Sequence, residues 1–160
     1  MAEFASATVQ RVQEALRALG LGHEIVDLGQ SARTAADAAR AVGCQVDQIC
    51  KSLVFRLGSS SRPLLVVTSG VNRVDETKVG ALVGEPLAKA DADFVRATTG
   101  FAIGGVAPIG HTGPVTTLID EHLLGFEEIW AAAGHPNMVF RLRPEDLVRM
   151  TGGRVTPVAR

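Results

Sequence analysis

At 160 residues, 46% of them apolar, the chain has the length and apolar content for one domain with a sizeable core. Sixteen Lys and Arg against 17 Asp and Glu leave a net charge of −1, which excludes the broad basic field of a general DNA- or RNA-coating protein and limits nucleic-acid contact to a local patch. No apolar run approaches the roughly 20 residues that span a bilayer, and MAEFASATVQ lacks a leader's charged start and apolar stretch. Cys44 and Cys50 are not spaced as zinc ligands. A cytoplasmic protein with reduced thiols, no membrane association and no cofactor is expected.

In chain order, Ser6 is positioned to cap a helix whose apolar positions Val9, Val12, Leu16 and Leu19 recur three to four apart, with Gly20 ending it. Residues 23–28 alternate polar and apolar, which predicts a half-buried strand with His23 facing solvent. Thr34 and Asp37 have capping-box spacing ahead of a helix over 35–42, closed by Gly43. A short helical turn over 46–50 then leads into a strand containing Leu53, Val54 and Phe55. Alternation puts Lys51 on the face of Leu53 and Phe55, with Ser52 and Val54 on the other. Such a lysine either snorkels to water at the strand end or sits at the mouth of an apolar pocket, where it supplies a fixed positive charge for a phosphate or a developing oxyanion.

Residues 58–63 form a turn, and 64–68 form a continuously apolar strand buried on both faces, giving a hairpin. A helix over 75–83 turns Val79 and Leu82 inward. Arg73 and Lys78 are solvated charges or partners of Lys51 in a basic patch. A helix over 90–98 has Asp91 as cap, Phe94 and Val95 inward and Gly100 as its stop. Strands follow at 116–119, 127–132 and 138–142, with a turn at 120–123 and another at 133–137. There Pro136 holds His135 extended, so its imidazole is either a proton carrier or simply exposed. Pro144 opens a last helix to Met150, and Pro157 marks a terminal edge strand. About seven short strands mixed with four or five helices, without strict alternation, indicate an α+β fold.

The stretch over residues 100–113, GFAIGGVAPIGHTG, holds five glycines and one proline. Gly104 and Gly105 permit positive φ and close approach, while Pro108 drives Ala107 to an extended conformation. The loop is either a cradle of backbone N–H groups for a carbonyl, phosphate or ribose, or a turn that only lets strands pack. It comes within one residue of a phosphate-binding G-x-x-x-x-G-K-S/T signature, but His111 replaces the lysine, and Pro108, Gly113 and Pro114 preclude the helix that must follow. No G-x-S-x-G nucleophile elbow occurs. A metal site built from His111, His122 and His135 matches no familiar ligand spacing.

Together, CKSLVF, LLVVTSG followed by NRVDETKV, GFAIGGVAPIGH, AAAGHPNMVFRL and RPEDLV resemble the YbaK-type trans-editing proteins, free-standing relatives of the editing domain inserted into bacterial prolyl-tRNA synthetases. The likeness runs from about Thr34 to the C-terminus. It implies a compact mixed β barrel flanked by helices, working as an aminoacyl-tRNA deacylase on tRNA(Pro) that carries a small wrong amino acid. The family lysine falls on Lys51 and the glycine-proline motif on Gly104, Gly105, Pro108 and Gly110. The histidine of some branches falls on His135. Ser52 is assigned to substrate binding beside Lys51, and Phe101, Val106 and Ile109, together with Leu53, are candidate pocket walls. Cys50 is expected as a buried structural thiol. The implied partners are the aminoacyl-tRNA 3′ end and prolyl-tRNA synthetase. A binding module of the same fold, without turnover, is the alternative.

Overall fold

The apolar run at residues 64–67 becomes the middle of the larger sheet. A computed structural model describes residues 2–21, 23–30 and 32–160, the side chains of residues 2–6 excepted. Among these there are five α-helices and eight strands, in the order α1 (Ala2–Ala18), β1 (Ile25–Asp27), α2 (Ala35–Val42), β2 (Cys50–Leu57), β3 (Pro63–Ser69), α3 (Glu76–Val83), β4 (Leu87–Lys89), α4 (Ala92–Thr99), β5 (Thr116–Asp120), β6 (Ile129–His135), β7 (Met138–Leu142), α5 (Pro144–Thr151) and β8 (Arg154–Thr156). Short 3-10 turns precede β2 and follow β5.

The strands form two sheets rather than one closed barrel: a five-stranded sheet, β4-β2-β3-β5-β8, and a three-stranded one, β1-β7-β6. An isolated bridge between Ile49 and Trp130 joins them. β2 and β3 pair antiparallel, whereas β3–β5 and β5–β8 are parallel, so long crossovers must return the chain to the sheet. The first crossover carries α3, β4, α4 and the glycine-rich loop. The second carries the β6–β7 hairpin and α5. Leu64, Leu65, Val66 and Val67 are all fully buried, as a continuous apolar run with both faces covered requires.

β2 divides its side chains as alternation demands, with Cys50 and Val54 joining the main core and Leu53 and Phe55 packing on a second cluster around Leu64, Val66 and Leu118. The strand begins at Cys50, three residues before its apolar run, because β3 pairs with it from Cys50↔Ser69 onward. Helix ends follow the expected chemistry. Thr34, Asp75 and Asp91 accept hydrogen bonds from the backbone N–H groups of Asp37, Lys78 and Phe94, and Gly43, Gly84, Gly100 and Gly152 close helices in the left-handed conformation.

Several expectations are corrected. α1 starts at Ala2, and the side chain of Ser6 lies outside the described residues. Its buried stripe is Thr8, Val12 and Leu16, while Leu19 is 46% exposed because the helix has already ended. The predicted strand at 23–28 shrinks to β1, and His23 does not face solvent: its Nε2 lies 3.2 Å from Asp146 Oδ2 and its ring meets Phe140 edge-on. The strand placed at 127–132 runs instead from Ile129 to His135, so His135 ends a strand rather than occupying a turn, and Pro136–Asn137 alone connect to β7. β4, three residues long, carries too short a pattern to be read.

Candidate active site

A cavity of about 750 Å³ opens beside β2. β2 pairs with β3 over residues 50–56 but with β4 only over 55–57, so among the described strands nothing covers the outer edge of residues 51–54. That edge forms one wall, and residues of both faces, Lys51, Ser52, Leu53 and Val54, reach the cavity. Ile103, Gly104 and Val106 of the glycine-rich loop also line it. The N-terminal end of α2, with Thr34, Ala35 and Ala38, and the sheet residues Ala131, Ala132 and Val139 complete it. The volume lies within the roughly 300–1,000 Å³ of small-molecule sites, and the lining is predominantly apolar with few polar groups.

Lys51 is held on the edge of this space. Its Nζ donates to the carbonyl oxygen of Asn72 at 2.7 Å. Burial and the nearby Arg73 guanidinium lower its pKa below the usual lysine value, with Asp120 acting the other way. Asn72 is itself fixed: its Nδ2 donates to Asp120 Oδ2 at 2.8 Å, and its N–H closes a turn onto Ser69 O. Asp120 is 2% exposed, and its Oδ2 also accepts from Thr68 Oγ1 and Ser69 N, while its Oδ1 accepts from His122 N. Burial works to raise this carboxyl, but the donors of Asn72, Ser69, His122 and Thr68 outweigh it and hold the pKa below the ordinary aspartate range. A fixed anion thus anchors the turn whose carbonyl receives the lysine. Gly70, within that turn, has no room for a side chain, since a Cβ would run into Val46 O and come within 2.8 Å of the Ala35 Cβ.

The loop is fixed main chain to main chain. Gly104, with φ 92°, has nothing nearer to a notional Cβ than Pro136 Cγ at 4.0 Å and opens towards the cavity. A Cβ on Gly105 would lie 3.0 Å from the Cα of His135, so the loop is seated on the β6–β7 turn. Pro108 is buried, and His111 donates from Nε2 to Ala107 O at 2.8 Å, its pKa lowered by burial. Arg11 of α1 closes the loop from behind. It donates to Gly110 O at 2.9 Å and Gly100 O at 3.0 Å, and its guanidinium carbon lies 4.6 Å from the Phe101 ring centre. Thr8, one turn earlier, donates to Gly134 O at 2.8 Å.

The sequence-predicted residues therefore separate into two groups. Lys51, Ser52, Leu53, Gly104 and Val106 meet at the cavity. Ser52 Oγ is buried and unpartnered among the described residues, an unmet hydrogen bond beside the space where a ligand would enter. Phe101 and Ile109 are not cavity walls but core residues beneath the loop, because the chain turns inward on either side of the exposed Ile103 and Gly104. Gly110 faces α1, and Gly105 and Pro108 support the loop. His135 contributes its backbone to the seat of Gly105, its Nδ1 accepts from Asn137 N at 3.3 Å, and the adjacent Pro136 is the residue that reaches the cavity. Cys50 is buried and lines the cavity, its thiol pKa pushed up by burial and by Asp120. No cluster of three potential metal ligands occurs among the described residues, and His111, His122 and His135 have separate partners.

The family model of the aminoacyl-tRNA editing domain matches residues 30–150. The chain belongs to this family. A crystal structure provisionally described as a trans-editing enzyme for prolyl tRNA synthetase superposes with a TM-score of 0.91 at 47% identity, covering 96% of this chain and 97% of that one. The uncharacterized protein YwhH of Bacillus subtilis is 28% identical over 133 residues, 83% of this chain and 84% of its own. The proline–tRNA ligase of Limosilactobacillus fermentum is 37% identical over 98 residues, 59% of this chain but 17% of the ligase. The family match begins at Gln30, so α1, whose Thr8 and Arg11 brace the hairpin and the loop, precedes the matched region. Among the described residues no helix is long and apolar enough to cross a membrane.

Proposed function

We propose that the protein, acting as a single editing domain over 1–160, hydrolyses the ester between a small wrong amino acid and tRNA in trans. Its substrate on this reading is tRNA(Pro) carrying alanine, serine, 2-aminobutyrate or cysteine. The observation that supports the proposal is that Lys51 and Gly104 line one and the same predominantly apolar cavity. Water adds to the ester carbonyl carbon, the bond to the ribose oxygen breaks, and that oxygen leaves with a proton, releasing free amino acid and tRNA. The main-chain N–H of Gly104 and the Lys51 ammonium stabilise the charge that develops on the carbonyl oxygen, the Gly105 N–H being engaged by Ala102 O in the loop's own turn, and no side-chain nucleophile is needed. Ser52 supplies its unmatched hydroxyl to the bound ester.

Selection by size is the reason such a site exists, because one methylene distinguishes substrates by only about 1–3 kcal/mol in a synthetic pocket. Here Val106, Leu53 and the alanine-rich floor form the sieve. With a net charge of −1, the domain binds bare tRNA weakly and draws on prolyl-tRNA synthetase as a partner. The deciding experiment is single-turnover hydrolysis of a panel of mischarged tRNAs by wild-type protein and by Lys51→Ala. Loss of about 100-fold or more in the variant is expected. Wild-type rates in Lys51→Ala refute the role of Lys51, and tRNA-end binding without turnover by the wild type identifies a binding module instead.

A further inference from the structure

The cavity's charge is one-sided. Among its described lining residues only Arg33 and Lys51 are charged, and both are cations, although the chain as a whole carries one more acidic than basic group. The two differ in how they are engaged. Lys51 is partly buried, with its ammonium bound to Asn72 O. Arg33 is exposed at the rim, and among the described residues no carboxylate or carbonyl receives its guanidinium. Yet its backbone is not left free. On one side Ala32 N donates to Pro136 O at 3.2 Å, tying the segment to the β6–β7 turn, and on the other Thr34 caps α2. A rigidly based arginine without a protein partner, beside an otherwise apolar cavity, fits a ligand with an uncharged body and an anionic group at its outer end.

An aminoacylated 3′-terminal nucleoside has that form: the acyl group and base are uncharged apart from the α-ammonium, and the first anion along the chain is the phosphodiester on the ribose 5′ oxygen. We propose that Arg33 binds this 5′-phosphate, fixing the terminal nucleotide while the ester lies between Lys51 and Gly104. The inference rests on the deacylase reading for the identity of the ligand. Arg33 takes no part in the bond-breaking step.

The test is binding, so that it does not depend on turnover. The probes are 3′-alanylamino-3′-deoxyadenosine, whose amide resists hydrolysis, and the same compound bearing a 5′-phosphate, titrated calorimetrically into wild-type, Arg33→Ala and Arg33→Lys protein at low salt. The expected result is that the 5′-phosphate tightens wild-type binding about 5- to 20-fold, that Arg33→Ala abolishes this gain while binding the unphosphorylated probe as wild type does, and that Arg33→Lys retains part of it. Equal weakening of both probes in Arg33→Ala indicates a role in shaping the cavity and overturns the proposal, as does an undiminished phosphate gain. Absence of wild-type binding to either probe, when the protein nonetheless deacylates tRNA, also overturns it. A phosphate gain that depends on Arg33 in a protein without deacylase activity upholds this assignment while refuting the reaction.

Discussion

Replacing Asp120 by alanine removes the acceptor on which the Lys51 side of the site is built. The buried carboxylate receives four hydrogen bonds, from Thr68 Oγ1, Ser69 N, Asn72 Nδ2 and His122 N. Thr68 and Ser69 are themselves fully buried, so their donors find no water in its place. Two stranded buried donors cost about 1–3 kcal/mol each, and the loss of the other two bonds brings the expected destabilisation to about 4 kcal/mol. For a chain of this size that corresponds to about 8–16 °C in Tm. Asp120→Asn should lose about half as much: its amide oxygen can take the place of Oδ2 and serve three donors, leaving only the amide nitrogen opposed to His122 N. The carboxyl pKa is lowered in the fold, so its contribution is present above the unfolded value, near 3.9, and is lost as the pH falls through the lower folded value. The gap between wild type and Asp120→Ala should therefore be widest near neutrality and narrow in acid as the pH falls through the lowered folded value, the protonated carboxyl still accepting from some of the same donors. Thermal and urea melts across this range test both points. A neutral-pH loss below about 1 kcal/mol, or a gap that does not narrow in acid, would refute the argument.

What the sequence disclosed depended on how local the cause was. Caps at Thr34 and Asp91 act on N–H groups three residues on, and the 64–67 run is buried by a sheet that its own composition demands, so these elements were legible. The β1 and β6 boundaries were not. Strand ends are set by partners, and β7, not any pattern of its own, decides that β6 runs on to His135. In the site, Lys51 and Gly104 stood out because a cation within an apolar alternation and paired glycines are anomalous in isolation. Asp120, Asn72 and Arg11 were missed for the opposite reason. An aspartate at a strand end, an asparagine in a turn and an arginine on a surface helix are unremarkable until the fold brings Asp120 to Asn72 across 48 positions and Arg11 to Gly110 across 99. Phe101 and Ile109 were misread as walls because sequence adjacency to Gly104 does not reveal that between residues 101 and 110 only 103 and 104 are exposed.

Two further expectations concern how these distant contacts act on the reaction. Arg11→Met, which keeps an apolar chain over Phe101 but removes the bonds to Gly100 O and Gly110 O, should lower Tm by about 2–8 °C and cut kcat for deacylation more than it raises KM; unchanged kcat in the folded variant would show that the loop holds its shape without α1. The other concerns the charge on Lys51. Burial first, and then Arg73, depress its pKa, while Asp120 sustains it. If the ammonium is the working form, activity must fall on the alkaline side at a pH below that of an ordinary lysine, near 10.4. Removing each neighbour should move that limb in opposite directions. Arg73→Ala removes a repulsion, favours the protonated lysine and shifts the limb to higher pH. Asp120→Asn removes an attraction and shifts it to lower pH. The measurement is kcat/KM for a mischarged minihelix from pH 6 to 10, corrected at each point for spontaneous ester hydrolysis. A general loss of packing lowers both profiles without displacing them, so opposite displacements single out charge on Lys51, and a common shift or none at all would remove the ammonium from the mechanism.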